Sequence, residues 1–288
     1  MNQPAEEKFL AWPYRTGHRA KIRCQISGSA SSSKPPLLFV HGYGAMLEHW
    51  NLNVPAFEAE HQVVAVDLLG FGGSEKPDAK YSLALWSEQL QFIIDTLGLR
   101  KPVVVGHSVG GAVSLWLAHH APELPEGLVL VDPAGIFPQE VSAAEQLMYR
   151  AVGSPLIGEV LFGLFGNAFG ARQSLLPTYH NPAQVTDELV LQFSKPFRDA
   201  GAMNAYLAPS RRPENFLLKS LPTPCAFTGK ALTVWGKFDK AFPPALLIAK
   251  FEELLPQSHA AIIDEAAHCP HHEQASAFNR ILKTFLST

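Results

Sequence analysis

Cysteine is scarce in this chain of 288 residues: Cys24, Cys225 and Cys269 are the only three. They are too few and too scattered for a disulfide framework, and none forms a C-x-x-C pair, so reduced thiols are expected. Long hydrophobic runs are missing as well. No apolar stretch approaches the roughly 20 residues that span a bilayer, so no integral membrane segment is expected. Neither charge sign is in excess, with 23 Lys and Arg against 26 Asp and Glu and a net charge of -3. That balance leaves no electrostatic footprint for nucleic acid or an anionic membrane, and no nucleic-acid partner is expected. The opening "MNQPAEEKFLAWPYR" has early glutamates and no basic segment ahead of an apolar core, so it does not read as a secretory signal, and a cytoplasmic location is expected. Histidine is plentiful at 12, yet no H-E-x-x-H spacing occurs. The adjacent pairs His119/His120 and His271/His272 point apart on a helix, and no metal site is expected.

What is present is a globular composition, 47% hydrophobic and 17% charged, in a chain long enough for one large domain with an insertion. Short β-branched runs alternate with helical patterns, the signature of a mostly parallel sheet wrapped by helices. Phe9 to Trp12 and Lys21 to Ile26 read as a hairpin. "LLFV" at Leu37 to Val40 breaks at Gly42 and Gly44, and "QVVAVD" closes on Asp67 before a Gly-rich loop. Further strands run through "PVVVG", "GLVLVD", "ALTVWG" and "SHAAIID", giving eight in all. From Trp86 the apolar residues Leu90, Ile93, Ile94 and Leu97 keep helical spacing, as do Phe278, Ile281, Leu282 and Phe285 near the end. Between 136 and 225 strand alternation disappears, and helical spacing broken by Gly and Pro takes over. The expectation is a core of residues 1–135 and 226–288 with a helical cap, 136–225, inserted between core strands. Each polar motif lies just past the carboxyl end of a strand, the edge where open α/β sheets bind ligands.

One such motif is "PVVVGHSVGGAVS". A serine hydroxyl is a poor nucleophile unless a base takes its proton and the oxygen stands clear of the backbone. A sharp strand-to-helix turn achieves that, with glycines relieving the crowding and the helix N-terminus offering a free N–H. Ser108 sits at that turn. His268, in "EAAHCPHHE" past the last strand, is the candidate base, and Asp239, in "WGKFDKAFPP" past the preceding strand, is the candidate carboxylate that fixes its tautomer. Asp132, at the end of an earlier strand, is the alternative acid.

Through "HGYG", "DLLGFGGSEKP", "GHSVGG", "WGKFD" and "HCPHHE" the sequence resembles the α/β-hydrolase superfamily over nearly its whole length, in a capped form. The resemblance implies the α/β-hydrolase fold, the order Ser108, Asp239, His268 for a catalytic triad, and an oxyanion hole from the backbone N–H groups of Val109 and Tyr43, with Gly44 as the substitute for the latter. No cofactor is implied. Ala267 stands where a glycine commonly precedes the catalytic histidine. Asp67 is expected to order the Gly-rich loop and Asp264 to support the turn at His268. His41 and His107 are expected to pack loops, Cys269 to be structural, and His271 and His272 to lie on the final helix.

Serine at the elbow, where dehalogenases and epoxide hydrolases of this outline carry aspartate, implies acyl transfer to water. The expected substrate is a small, largely apolar molecule with an ester or related acyl bond. Leu161, Phe162, Phe165 and Phe169 of the cap are candidates for its pocket. The motifs also resemble pheophytinase-like and chlorophyll-dephytylating hydrolases. Two alternatives share this outline: a hydrolase of carbon–carbon bonds and a ligand receptor with little turnover.

Overall fold

A computed structural model describes residues 5–136, 147 and 150–288. Eight strands form one sheet: β1 (Glu6–Arg15), β2 (His18–Ser27), β3 (Leu37–Val40), β4 (Val63–Val66), β5 (Val103–His107), β6 (Gly127–Val131), β7 (Lys230–Gly236) and β8 (Ser258–Ile263). Their spatial order is β1-β2-β4-β3-β5-β6-β7-β8. β1 pairs with β2, and β2 with β4, antiparallel; every later pairing is parallel. This is the mostly parallel, eight-stranded sheet expected from the alternation of apolar runs.

β3, β4, β5 and β6 are buried at every residue, as strands covered on both faces must be. The pleat sorts their side chains into two cores. Leu38, Val40, Val64, Val66, Val104 and Leu130 face α1 (Leu83–Leu97), α2 (Val109–His120) and a later helix at Pro244–Leu254. Leu37, Phe39, Val63, Ala65, Val105 and Val129 face Trp50, Phe57 and the last helix, Ala275–Ser287, through Phe278 and Leu282. Each of those two fully buried side chains contributes about 1.5–3 kcal/mol of transfer free energy. Helix α1 begins where the Ser82 hydroxyl accepts the Leu85 N–H and ends at Gly98, whose φ of 64° and N–H bond to Ile94 suit a left-handed C-cap.

Between β6 and β7 the chain leaves the sheet. The described part of this insertion contains α3 (Pro155–Phe165), α4 (Ala168–Leu175), α5 (Asp187–Ser194) and α6 (Ala202–Arg211). Ala171, Leu175, Leu189, Val190 and Phe193 pack with Ala45, Met46 and Cys269 from loops at the carboxyl edge of the sheet, so the insertion rests on that edge. After β7 come α7 (Pro244–Leu254), β8, the single-turn α8 (Pro270–Glu273) and α9 (Ala275–Ser287). His271 and His272 therefore do not lie on the final helix. They occupy α8, which Gln274, at φ -127° and ψ 51°, breaks from α9. Among the described residues no helix is long and apolar enough to cross a membrane.

Candidate active site

The turn between β5 and α2 forces Ser108 to φ 51° and ψ -118°, a conformation costing on the order of 1–3 kcal/mol for a residue with a side chain. Its neighbours explain how the chain reaches it. A Cβ on Gly106 would lie 2.4 Å from the Gly110 carbonyl oxygen, and one on Gly110 would lie 2.4 Å from that of Val40. Only glycines let helix α2 start this close to the sheet. The turn is pinned by the Ser108 N–H to Val131 O, 2.8 Å, and by the Ala134 N–H to Ser108 O, 3.0 Å.

The Ser108 hydroxyl points at His268 Nε2 across 3.0 Å. On the other side of the ring His268 Nδ1 lies 2.7 Å from Asp239 Oδ2, which can only accept, so Nδ1 carries the proton and Nε2 presents its lone pair to Ser108. Asp239 Oδ1 accepts from the N–H groups of Ala241 (2.8 Å) and Phe242 (3.0 Å). Burial would raise this carboxyl, but the hydrogen bond from His268, the attraction between the two side chains and the two amides bring it below the usual range. Phe242 stacks on the imidazole at 5.3 Å.

Asp132 is in the same cluster: Asp132, Asp239 and His268 each bring one donor atom within 4.8 Å of the others. Asp132 is fully buried, and both its oxygens take the Gly236 N–H at 3.1 Å. Burial first, and then the adjacent Asp239 charge, push its carboxyl far above the ordinary range. Asp132 thus holds its proton more tightly than Asp239, and the bond to Nδ1 goes to Asp239.

Tyr43 and Val109 face the same cavity as Ser108. Among the described residues neither backbone N–H has an intramolecular acceptor. The Tyr43 hydroxyl donates to the Tyr206 carbonyl on α6, and the Tyr206 hydroxyl lies 3.4 Å from Gly44 O, so loop and insertion hold each other. The cavity holds about 1320 Å³, and among the described residues no Asp or Glu lines it. Its wall includes Phe162, Phe165, Phe193, Phe197, Phe216 and Phe242. Phe162 and Phe165 are thus on the wall, whereas Leu161 and Phe169 are not. Phe169 stands at the start of α4 and is exposed, and Leu161 turns away from the wall its helical neighbour Phe162 forms.

The turn at His268 is held by a residue the sequence did not single out. Glu273 accepts the Ala267 N–H at 2.8 Å and the His180 N–H, and the His268 N–H goes to Thr178 O at 3.0 Å. Asp264 is not that support: it is exposed and pairs with Lys237 at 2.6 Å. Asp67 takes N–H groups from Gly73 (2.6 Å) and Leu47 (2.7 Å), with Arg23 at 3.3 Å, and so ties the Gly-rich loop to the core.

Behind Ser108, His268 and Asp239 lies a second cluster that adjacency in sequence does not reveal. His49, His107 and His271, from three separate segments, are buried and bring one nitrogen each within 4.8 Å of the others. His107 Nε2 donates to His268 O (2.7 Å), His49 bonds to Tyr179 (3.1 Å) and His271 (3.3 Å), and Tyr179 reaches His272 (3.1 Å). Burial pushes His107 down to about 3 and His49 and His271 well below the usual range, so these rings are neutral. Cys269 is buried, and its thiol is raised far above normal by burial and then by the Glu273 charge. It offers no thiolate at neutral pH.

Residues 35–275 match the family described as the alpha/beta hydrolase fold. The chain belongs to that family. Among curated relatives, a 2-hydroxymuconate semialdehyde hydrolase of Pseudomonas putida is 28% identical over 298 aligned residues, covering 100% of this chain and 98% of that protein. The dihydrolipoyllysine-residue acetyltransferase component of an acetoin cleaving system, also of Pseudomonas putida, is 29% identical over 259 residues. That match covers 87% of this chain and 63% of the relative's own length. A thermophilic esterase of Thermogutta terrifontis shares the fold, with a TM-score of 0.78 at 22% identity, covering 97% of that chain and 98% of this one.

Proposed function

We propose that this α/β-hydrolase is a serine hydrolase that cleaves a carboxylic ester, or a related acyl bond, of a small and largely apolar molecule. The observation that carries the reading is the continuous line Ser108 Oγ, His268 Nε2, His268 Nδ1, Asp239 Oδ2, at 3.0 and 2.7 Å, opening on an apolar cavity.

In this reading Ser108 Oγ attacks the ester carbonyl carbon while its proton passes to His268 Nε2. Asp239 stabilises the resulting imidazolium. The carbonyl oxygen, now an oxyanion, accepts the Tyr43 and Val109 N–H groups, each such donor lowering the barrier by about 3–4 kcal/mol. When the tetrahedral intermediate collapses, the carbon–oxygen bond to the alcohol breaks and His268 protonates the leaving oxygen. Water then attacks the acyl-enzyme, giving its proton to His268, and the acid leaves as Ser108 recovers its own. The helical insertion acts as the cap whose aromatic wall takes the apolar part of the substrate.

The second reading, hydrolysis of a carbon–carbon bond, draws its support from the full-length likeness to the semialdehyde hydrolase. To test the first, the protein is treated with a fluorophosphonate probe and with short and long p-nitrophenyl esters. Labelling and turnover that disappear in Ser108→Ala are expected. Folded wild type that neither labels nor turns over would overturn the mechanism. Consumption of a vinylogous diketone much faster than any ester would move the assignment to the second reading.

A further inference from the structure

Helix α3 carries an apolar surface that the described fold leaves uncovered. Leu156, Ile157, Val160 and Leu164 are 77%, 47%, 54% and 62% exposed, with Phe165 at 50% and Phe169 at 61%. Leu156, Val160 and Leu164 follow one another at four-residue spacing and form a single ridge. Glu159 is the only charge on the helix, and Arg211 engages it at 3.4 Å. Scattered exposed leucines need no explanation, but a continuous patch of this kind marks a contact surface.

Its position says what it contacts. Phe165 is half exposed and also lines the cavity that holds Ser108, so it sits on the rim. Its ring lies 6.4 Å from that of Phe169. One turn earlier Phe162 faces inward, against Phe197 and Tyr206, each at 5.9 Å. The exposed apolar side chains of the outer ridge are therefore joined to the cavity at its rim by Phe165, while Asn167 caps the start of α4 at the corner between Phe165 and Phe169. A helix of 11 residues is about 16 Å long, and a face of this size offers several hundred Å², short of the roughly 800 Å² per partner of a stable protein complex. For one helix lying in a bilayer interface that area is ordinary.

We propose that the exposed face of α3, with Phe169, docks on a lipid surface and delivers lipid-dissolved substrate across the Phe165 rim into the cavity. The delivery step rests on the apolar-ester reading above; the docking does not. With a net charge of -3 and a single, paired charge on the helix, insertion is driven by apolar contact rather than by attraction to anionic headgroups.

The test uses the full chain in the Ser108→Ala form, sedimented with phosphatidylcholine vesicles, so that binding is read apart from catalysis. Binding is expected to persist from low salt to about 0.5 M NaCl, where surface charges are screened within a few ångströms. Leu156→Ser with Leu164→Ser, both exposed positions off the cavity wall, should lower the partition coefficient roughly 30-fold. In the otherwise wild-type background the same pair should leave hydrolysis of a short soluble ester unchanged and slow hydrolysis of a vesicle-embedded long-chain ester by a similar factor. Protein that stays in the supernatant overturns the proposal. So does binding that requires phosphatidylglycerol and vanishes in salt, or a dimer in sedimentation velocity that the two substitutions dissociate, which would assign the face to a second copy. Failure to cleave the soluble ester would count against the hydrolase reading alone, since vesicle binding is measured without it.

Discussion

Asp239→Asn separates the two carboxylates at the site. Asp239 Oδ1 accepts from the N–H groups of Ala241 and Phe242, which need an acceptor oxygen at that position. The amide oxygen of the asparagine therefore takes it, and the NH₂ group falls where Oδ2 faced His268 Nδ1 at 2.7 Å. Two donors cannot share that gap, so the imidazole shifts its proton to Nε2 and presents N–H, not a lone pair, to Ser108. With the wrong tautomer the expected loss in kcat is about 10⁴-fold, near 5.4 kcal/mol. Asp132→Asn is expected to stay within a few-fold of wild type. The Asp132 oxygens accept the Gly236 N–H, an asparagine oxygen accepts it equally, and the bond to His268 Nδ1 stays with Asp239. Steady-state hydrolysis of a p-nitrophenyl ester and the rate of fluorophosphonate labelling measure both, with a thermal melt to show that each variant folds. If Asp239→Asn keeps activity within tenfold while Asp132→Asn collapses, the acid is Asp132 and the geometric reasoning fails.

Acid stability follows from the buried rings. His41, lowered to about 4, His107, lowered to about 3, and His49 and His271, lowered well below the usual range by burial, refuse protons that their unfolded counterparts accept below a pH of about 6.5. Asp67, raised to about 6, and Asp132, raised well above normal, act oppositely, holding two protons that the unfolded chain releases above a pH of about 3.8. The four buried rings outnumber the two raised carboxyls, so the unfolded chain binds more protons near pH 5 and stability should fall on acidification there. Urea midpoints that stay level between pH 7 and 5 would contradict this. Gly110→Ala places a Cβ 2.4 and 2.5 Å from the Val40 and His41 carbonyl oxygens, backbone atoms that cannot step aside. A destabilisation of about 3 kcal/mol or more, read from chemical denaturation, is expected, and an Ala variant within 1 kcal/mol of wild type would show that α2 shifts freely. All three cysteines are buried, with Cys24 raised to about 12 and the other two thiols also raised. Native protein should leave a disulfide reagent such as DTNB nearly unreacted at pH 8, and three thiols should titrate after denaturation.

The sheet was legible because its signals are local. A buried parallel strand is a short β-branched run, and "LLFV", "VVAV" and "GLVLV" are each bounded by turn residues or polar ends. The serine turn was legible for the same reason, since its glycines answer to contacts only a few residues away. What stayed hidden depends on where distant segments meet. His49, His107 and His271 converge from a loop turn, a strand end and a single-turn helix, so adjacent pairs such as His271/His272 said nothing of their neighbours. Glu273 holds the turn at His268 because α8 folds back on it, whereas Asp264, nearer in sequence, faces solvent. Likewise, one-residue rotations on α3 decide that Phe162 lines the cavity and Leu161 does not. Helical periodicity identifies a face, not the object it faces.

Roughly a hundred residues separate the end of β6 from the start of β7, and that interval has a consequence during synthesis. At about 5–20 residues per second the ribosome takes on the order of 5–20 s to cross it. Throughout, "GLVLV" remains an unpaired sheet edge, able to pair with any strand it meets. Ser108 has by then been synthesised, while Asp239 and His268 have not. A nascent or truncated chain therefore carries Ser108, the proposed nucleophile, without His268, its proposed base, together with a sticky edge. Fragments ending within the insertion should be inert under the proposed mechanism and prone to capture by chaperones, and the last fifth of the chain supplies both Asp239 and His268 and the strands that seal the sheet.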